Sequence, residues 1–338
     1  MNEREAEAAW RLIRFNWLLV AGVLVAFGLG LLLTNFHVQP LGYLIAFVIA
    51  AVYGLFGYYN AVSPERRHPR IFFPLTAIAQ MILIVSVMVS ITYIATSVNF
   101  PLKDATLLAI DRAIGLDFRA YLNFINDRQW LIYILATGYR AISWPICVIV
   151  IALPLAGYYR RTGEFICAFT LALIATTCIS TLIPATGIYG AMGLLAADFP
   201  NIVPQSYYDG MREIPALRDG SLRELNILQL GGVLTFPSFH AKSAVLYTWA
   251  FWPVRWFRPL NLLCNGVMIA ATPVGGGHFF VDVIAGIALA AASIFAARRI
   301  HLALATADVF GEDHAIQQPP PWAIAGVLGN RIRVRIPN

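Results

Sequence analysis

A histidine and an aspartate four residues apart are the first feature of this sequence that could do chemistry. His278 and Asp282 stand at the predicted start of a helix, where residues four apart share one face. A carboxylate beside an imidazole fixes its tautomer and stabilises its charged form. The free ring nitrogen can then attack phosphorus and form a phosphohistidine. Three glycines, 275–277, precede His278 and would let a phosphate approach backbone N–H groups closely.

A second histidine could complete this chemistry. His240 opens an earlier predicted helix and follows Ser238 by two residues. If both helix ends lie on one side of the molecule, His240 could protonate a leaving alkoxide, and Ser238 could donate to a phosphoryl oxygen. A single histidine at the end of an apolar helix is more often an interfacial or structurally bonded residue. Two histidines on one side, one with a helical aspartate partner, are harder to explain structurally, and the residues alone leave catalysis and a structural role equally open.

The elements that position these residues are membrane helices. The chain has 338 residues, of which 59% are hydrophobic and 12% charged, whereas a soluble domain carries about 25% charge. The sequence therefore predicts an all-α, polytopic membrane helix bundle. Runs of about 20 apolar residues mark membrane spans. Eight are predicted, at 16–34, 41–60, 71–96, 130–157, 164–186, 239–257, 260–275 and 278–300.

Arginine placement predicts the orientation. Loops 61–70, 158–163 and 255–259 carry arginines, whereas loops 35–40 and 275–277 have no lysine or arginine. Because cytoplasmic loops are enriched in Lys and Arg, both termini are expected in the cytoplasm of a multi-pass cell-membrane protein. The two histidines then face the extracytoplasmic side. The net charge of +6 reflects these loops, and no nucleic-acid partner is expected.

The motifs resemble those of a known family. Pro237-Ser238-x-His240, followed by His278, an aromatic residue, Asp282 and a later glycine, resembles the type-2 phosphatidic acid phosphatase superfamily. The preceding Ala271-Thr272 is more similar to its sphingolipid-synthase branch, the inositol phosphorylceramide synthases. Segment 111–117 adds a weaker similarity. The resemblance is strong over 236–286, weak over 100–190 and absent over 1–95.

The resemblance implies a role for each motif residue. His278 matches the nucleophile, Asp282 its orienting carboxylate, His240 the general acid and Ser238 a phosphate-binding serine. It also implies a domain division. Residues 1–70 would form N-terminal membrane helices, 71–302 a catalytic membrane domain with a six-helix phosphatase-like core, and 303–338 a cytoplasmic, partly disordered tail.

The cationic clamp of the family is missing from its usual positions. Phosphatases of the superfamily carry an arginine six residues before the nucleophile, where this chain has Thr272, and a Lys-x6-Arg-Pro motif that neither lysine here begins. Charge on transferring phosphoryl oxygens needs a preorganised cation or hydrogen-bond donors. Arg140, inside an apolar run, is the first candidate, although it could equally be a structural arginine. Lys242 ranks second, and the sequence does not rank Arg212, Arg218 and Arg223.

The sequence thus predicts an integral-membrane enzyme acting on a lipid phosphate ester through a phosphohistidine. Water as acceptor would make it a lipid or polyprenyl phosphate phosphatase, and an alcohol such as inositol would make it a phosphotransferase of the sphingolipid-synthase type. The alternative is a non-catalytic lipid-binding or transport protein. No metal site or cofactor is expected, and the sequence identifies no partner protein.

Overall fold

The computed structural model describes residues 3–63 and 68–306, and their side chains from residue 7 onwards. Within these ranges the regular secondary structure is helical apart from one short parallel pair, β1 (His37–Val38) with β2 (Glu224–Leu225). The predicted all-α class is confirmed. Arg66 and Arg67 of the predicted cytoplasmic loop, and the tail from residue 307 onwards, lie outside the described residues.

Thirteen α-helices form the described part of the chain. They are α1 (Glu3–Leu33), α2 (Pro40–Val62), α3 (Pro69–Thr96), α4 (Asp104–Ala113), α5 (Phe118–Asn126), α6 (Gln129–Arg140), α7 (Trp144–Leu155), α8 (Tyr159–Leu182), α9 (Ile188–Ala191), α10 (Gln205–Asp219), α11 (Phe239–Phe251), α12 (Arg258–Gly276) and α13 (Phe280–Thr306). Short 3₁₀ turns precede α7 and α12 and separate α9 from α10.

Among the described residues, six stretches, rather than the predicted eight, are long and apolar enough to cross a membrane. They are Glu7–Leu33, Pro40–Val62, Pro69–Thr96, Gln129–Leu155, Tyr159–Leu182 and Phe280–Thr306. The predicted spans 239–257 and 260–275 correspond to α11 and α12, of 13 and 19 residues. At about 1.5 Å per residue, α11 is shorter than the roughly 30 Å hydrocarbon layer.

The fourth predicted span is two helices. A 3₁₀ turn, Ala141–Ser143, joins α6 to α7, and Pro145 lies in the first turn of α7. Proline has no backbone N–H and its ring crowds the preceding turn, so a continuous α-helix is interrupted here. Tyr139 and Arg140 therefore lie at the end of a helix within the membrane-length stretch.

The two ends of the helix bundle carry different residues. One end, called the basic end, carries arginines, and the two histidines lie at the other. At the basic end, Arg11 at the start of α1 donates to the Leu304 carbonyl of α13 (3.4 Å), and Arg161 at the start of α8 donates to the Trp249 carbonyl of α11 (3.3 Å). Two buried amides fasten α1 to the bundle: Asn16 donates to the Gly163 carbonyl (3.0 Å) and Gln80 to the Ile13 carbonyl (2.8 Å). The N-terminal helix therefore shares the core of the segment predicted to be catalytic. α11 runs from the basic end to the opposite end, where the two histidines lie.

Candidate active site

His278 and Asp282 form a buried pair at the start of α13. His278 Nδ1 lies 3.2 Å from Asp282 Oδ2, and the two residues are only 4% and 0% exposed. His278 precedes the helix instead of belonging to it, so a shared helical face does not create the contact. Asp282 Oδ2 also accepts from the Phe279 N–H (3.0 Å), which ties the turn to the first helical turn. The carboxylate thereby leaves Nε2 as the free ring nitrogen of His278.

Two carboxylates of α4 hold the backbone on either side of this turn. Asp111 accepts from the N–H groups of Phe280 and Val281, both at 2.8 Å, and so caps α13. Asp104 accepts from the N–H groups of Thr186 (2.8 Å) and Gly187 (2.9 Å). The next residue, Ile188, donates its N–H to the Gly277 carbonyl (2.7 Å). The turn that carries His278 is thus fixed from both flanks by segments distant in sequence.

The Asp111 carboxyl lies outside the membrane-length helices, and its environment changes its acidity. Burial raises the pKa of Asp111, and the two backbone hydrogen bonds from α13 oppose this rise. Burial likewise raises the pKa of Tyr189 and Tyr207, which flank Gly277. These phenols therefore stay neutral beside the turn at physiological pH.

A close helix approach brings the Ser238 region to Asp282. A Cβ at Gly286 would lie 2.6 Å from the Ser238 carbonyl oxygen, so only glycine lets α13 lie this near to the start of α11. The Ser238 N–H donates to the Asp282 carbonyl (3.0 Å), and its hydroxyl accepts from the Ala241 N–H (3.3 Å) as the N-cap of α11. Ser238 is fully buried. The structure gives it this capping role, and its contact with phosphate stays a prediction.

His240 and His278 line the same cavity of about 340 Å³. The remaining wall is mostly apolar and comes from α3, α7, α8 and segment 227–234. The His240 ring stacks on the Tyr139 ring, with centroids 3.8 Å apart and planes 12° from parallel. The two histidines that the sequence placed on one side therefore do meet at one cavity.

The three glycines before His278 make room for protein groups. A Cβ at Gly275 would lie 2.7 Å from Tyr139 Cγ, and one at Gly276 would lie 2.6 Å from both the Tyr139 hydroxyl oxygen and His278 Cδ2. Gly277 has a positive φ of 66° and ends α12. The expectation that the glycines admit phosphate is thus replaced by close packing of Tyr139 and His278 against the end of α12.

The two leading candidate cations differ in burial and in the cavity that they line. Lys242 is fully buried and donates to Thr176 Oγ1 (2.7 Å) and the Ala172 carbonyl (3.3 Å), behind the Phe239 ring and outside the cavity lining. Arg140 is exposed and lines a neighbouring cavity of about 180 Å³. The two cavities share Tyr139 and Ser206.

The three outer-loop arginines have other partners. Arg212 pairs with Asp209 (3.2 Å), Arg218 donates to the Phe100 carbonyl (2.9 Å), and Arg223 donates to the Leu217 carbonyl (2.7 Å). None of the three lines either cavity. Thr272, which occupies the family's arginine position, is buried and donates its hydroxyl to the Met268 carbonyl (2.8 Å).

Sequence reasoning missed Tyr139, Asp104 and the capping role of Asp111. Tyr139 stands next to Arg140 in the sequence, but its stack on His240 joins two segments about 100 residues apart, which no local pattern indicates. Asp111 was noticed for its similarity to the family segment, not for the α13 amides that it binds. In the part of the chain that the structure describes, no group of three or more His, Cys, Asp or Glu side chains is arranged to hold a metal ion.

The similarity of this chain to known proteins lies at the level of the family. No curated protein and no solved structure shows a significant match to the chain. A family model described as the PAP2 superfamily matches residues 105–296, more than half of the chain. The match contains Asp111 of α4, Ser238, both histidines and Asp282, and it begins one residue after Asp104. The chain therefore belongs to the PAP2 superfamily.

Proposed function

We propose that this protein is an integral-membrane phosphoryl-transfer enzyme that acts on a lipid phosphate ester through a phosphohistidine on His278. The observation that carries the proposal is the buried His278–Asp282 pair at a cavity that His240 also lines. A non-catalytic lipid-binding or transport protein would have no need for these groups to converge. Superfamily membership supports phosphatase or phosphotransferase chemistry on lipid phosphates.

The first half-reaction follows from the orientation of the two rings. Asp282 binds the Nδ1 side of His278, so Nε2 carries the lone pair that attacks phosphorus. The bond from phosphorus to the lipid oxygen breaks as the P–N bond forms. Protonated His240 gives its proton to the leaving alkoxide. Asp282 stabilises the positive charge that develops on His278.

The second half-reaction reverses these roles. Neutral His240 takes a proton from water or an alcohol, whose oxygen attacks phosphorus and breaks the P–N bond. His278 is released, and the product is inorganic phosphate or a new phosphate ester. We propose Arg140, from the neighbouring cavity, as the cation that stabilises the phosphoryl oxygens, and Ser238 as an additional donor. Lys242 would have to leave its present hydrogen bonds to contribute.

The molecule that accepts the phosphoryl group decides between the two reaction types. The similarity of Ala271-Thr272 to the inositol phosphorylceramide synthases and the absent family arginine favour the sphingolipid-synthase type. The two cavities described above do not distinguish this type from hydrolysis, so a lipid or polyprenyl phosphate phosphatase is the second candidate. The test is phosphate release by the purified protein from a panel of lipid phosphates, repeated with inositol. Hydrolysis gives phosphate in both, and transfer gives an inositol phosphate product.

We propose that the site opens to the extracytoplasmic side of the cell membrane. The support is the separation of the basic end from the histidines, together with the preference of arginine for cytoplasmic loops. In the test, Arg66 and Arg212 are each replaced by cysteine in a separate variant, and intact cells are treated with a membrane-impermeant maleimide. The unaltered protein serves as the blank. Labelling at 212 and not at 66 is expected, and the reverse pattern would contradict the orientation.

A further inference from the structure

We infer that Tyr139 is a positioning residue for the reaction, because it holds the plane of the His240 imidazole against the cavity. The inference rests on the proposed function, since it concerns the step in which His240 transfers a proton. Neither the motifs nor the family match points to this residue.

The first support is the stack itself. The Tyr139 and His240 rings lie 3.8 Å apart and within 12° of parallel, so the imidazole cannot rotate out of its plane without losing this contact. A general acid must hold its proton within hydrogen-bond reach of the leaving oxygen. Misplacement by about 1 Å can cost about 100-fold in rate. His240 has no carboxylate partner among the described residues, in contrast to His278. Its ring is restrained by the stack on Tyr139 and by a hydrogen bond with the Tyr139 backbone.

The second support comes from α12, which is shaped to receive the Tyr139 ring. All three atoms nearest to a Cβ at Gly275 are ring carbons of Tyr139, at 2.7–3.0 Å. At Gly276 the nearest groups are the Tyr139 hydroxyl and the His278 ring. Two successive glycines in the last turn of a helix lower its stability. Here they let one ring lie against His240, with its hydroxyl beside His278.

The third support is the position of Tyr139 between the two cavities. It lines both the histidine cavity and the one that contains Arg140, and its hydroxyl interacts with Ser206, which also lines both. The ring is thus fixed on three sides, by His240, by α12 and by the start of α10. A side chain with only a packing role would not need to meet both histidines.

The experiment compares an alkyl with an aryl phosphate, because an aryl leaving group needs little protonation. Tyr139→Leu removes the stack and should lower kcat on the alkyl ester at least about 10-fold, with a much smaller loss on the aryl ester. Tyr139→Phe keeps the ring and should restore most of the alkyl-ester activity. Tyr133→Leu, on the exposed face of the same helix, is the matched control and should resemble the wild type.

A double-mutant cycle tests the same contact without depending on one variant. Gly275→Ala should push the Tyr139 ring aside and reproduce the selective loss on the alkyl ester. In the Tyr139→Leu background, Gly275→Ala should cost little more, since the crowded ring is gone. If Tyr139→Leu does not fold, Gly275→Ala alone must show the alkyl-selective loss.

The outcomes separate this inference from the function on which it rests. Equal losses on both esters, or wild-type rates for both Tyr139→Leu and Gly275→Ala, would overturn the role of Tyr139 while His278→Ala remains inactive. If the wild type itself releases no phosphate and forms no phosphoenzyme, the proposed function fails and this inference fails with it.

Discussion

Replacement of Asp282 by asparagine tests the electrostatic part of the mechanism with little change of shape. In the wild type, Oδ2 accepts from the His278 ring and from the Phe279 N–H, and Oδ1 is buried without a hydrogen-bond partner. The Phe279 N–H requires an acceptor, so the asparagine oxygen should take the Oδ2 position. The amide nitrogen then takes the Oδ1 position. The fold and the His278 tautomer should both survive.

The magnitude follows from the charge that is lost. A hydrogen bond to a charged group contributes about 1.5–3 kcal/mol and a neutral one about 0.5–1.5 kcal/mol. The difference of about 1–1.5 kcal/mol acts in the transition state, where His278 becomes positive, and corresponds to about 5–15-fold in rate. If the amide instead turns its nitrogen to His278, the wrong tautomer is favoured, and losses of about 10⁴-fold are known for such a change in a serine protease.

The assay is phosphate release together with thermal stability in detergent. Asp282→Asn should melt near the wild type and turn over about 5–15-fold more slowly. Asp282→Ala should turn over more slowly still, because Nδ1 of His278 then loses its hydrogen-bond partner. Asp127→Asn, at an exposed helix end, is the control and should be unaffected. A fully active Asp282→Asn enzyme would refute the reasoning and leave Asp282 as a helix-capping residue only.

Three further predictions concern the groups around the pair. Arg140→Ala should cost about 2–4 kcal/mol in transition-state stabilisation if Arg140 contacts the phosphoryl group, and a fully active variant would identify it as structural. His240→Ala should slow alkyl esters far more than aryl phosphates, and equal slowing would contradict its role as general acid. Burial raises the pKa of Asp111, so the folded state binds its proton more tightly than the unfolded chain does. The stability of the wild type relative to Asp111→Asn should therefore increase as pH falls from 7 towards 4, and melting curves that show the opposite trend would contradict the raised pKa.

The sequence was sufficient for those features that local chemistry determines. Membrane-length apolar runs predicted the helix bundle, and the spacing of His278 and Asp282 predicted their pairing. The shared cavity of His240 and His278 followed from counting helices between them. The helix bundle and the His278–Asp282 pair depend on residue types along single segments, although the pair forms across the turn before α13 and not on a shared helical face. The shared cavity joins two segments and depended on their predicted orientation.

Features that depend on packing between distant segments were not predictable. The 13-residue α11 packs against α8, α12 and α13, and its apolar run was predicted as a full span. The glycines at 275–277 looked like a phosphate cradle, but the Tyr139 ring that fills this space comes from a helix over 100 residues earlier. Asp111 accepts from the Phe280 N–H of α13, which lies 169 residues later in the sequence.

The central claim is that His278 becomes phosphorylated, and direct trapping of that intermediate tests it. The purified enzyme is incubated briefly with a lipid phosphate labelled in its phosphoryl group, quenched, and analysed for protein-bound label that is stable to base and labile to acid. The wild type should carry such label and His278→Ala none, with turnover abolished, whereas His240→Ala should still accept label from an aryl phosphate. Acid-labile label or wild-type turnover in His278→Ala would contradict the account.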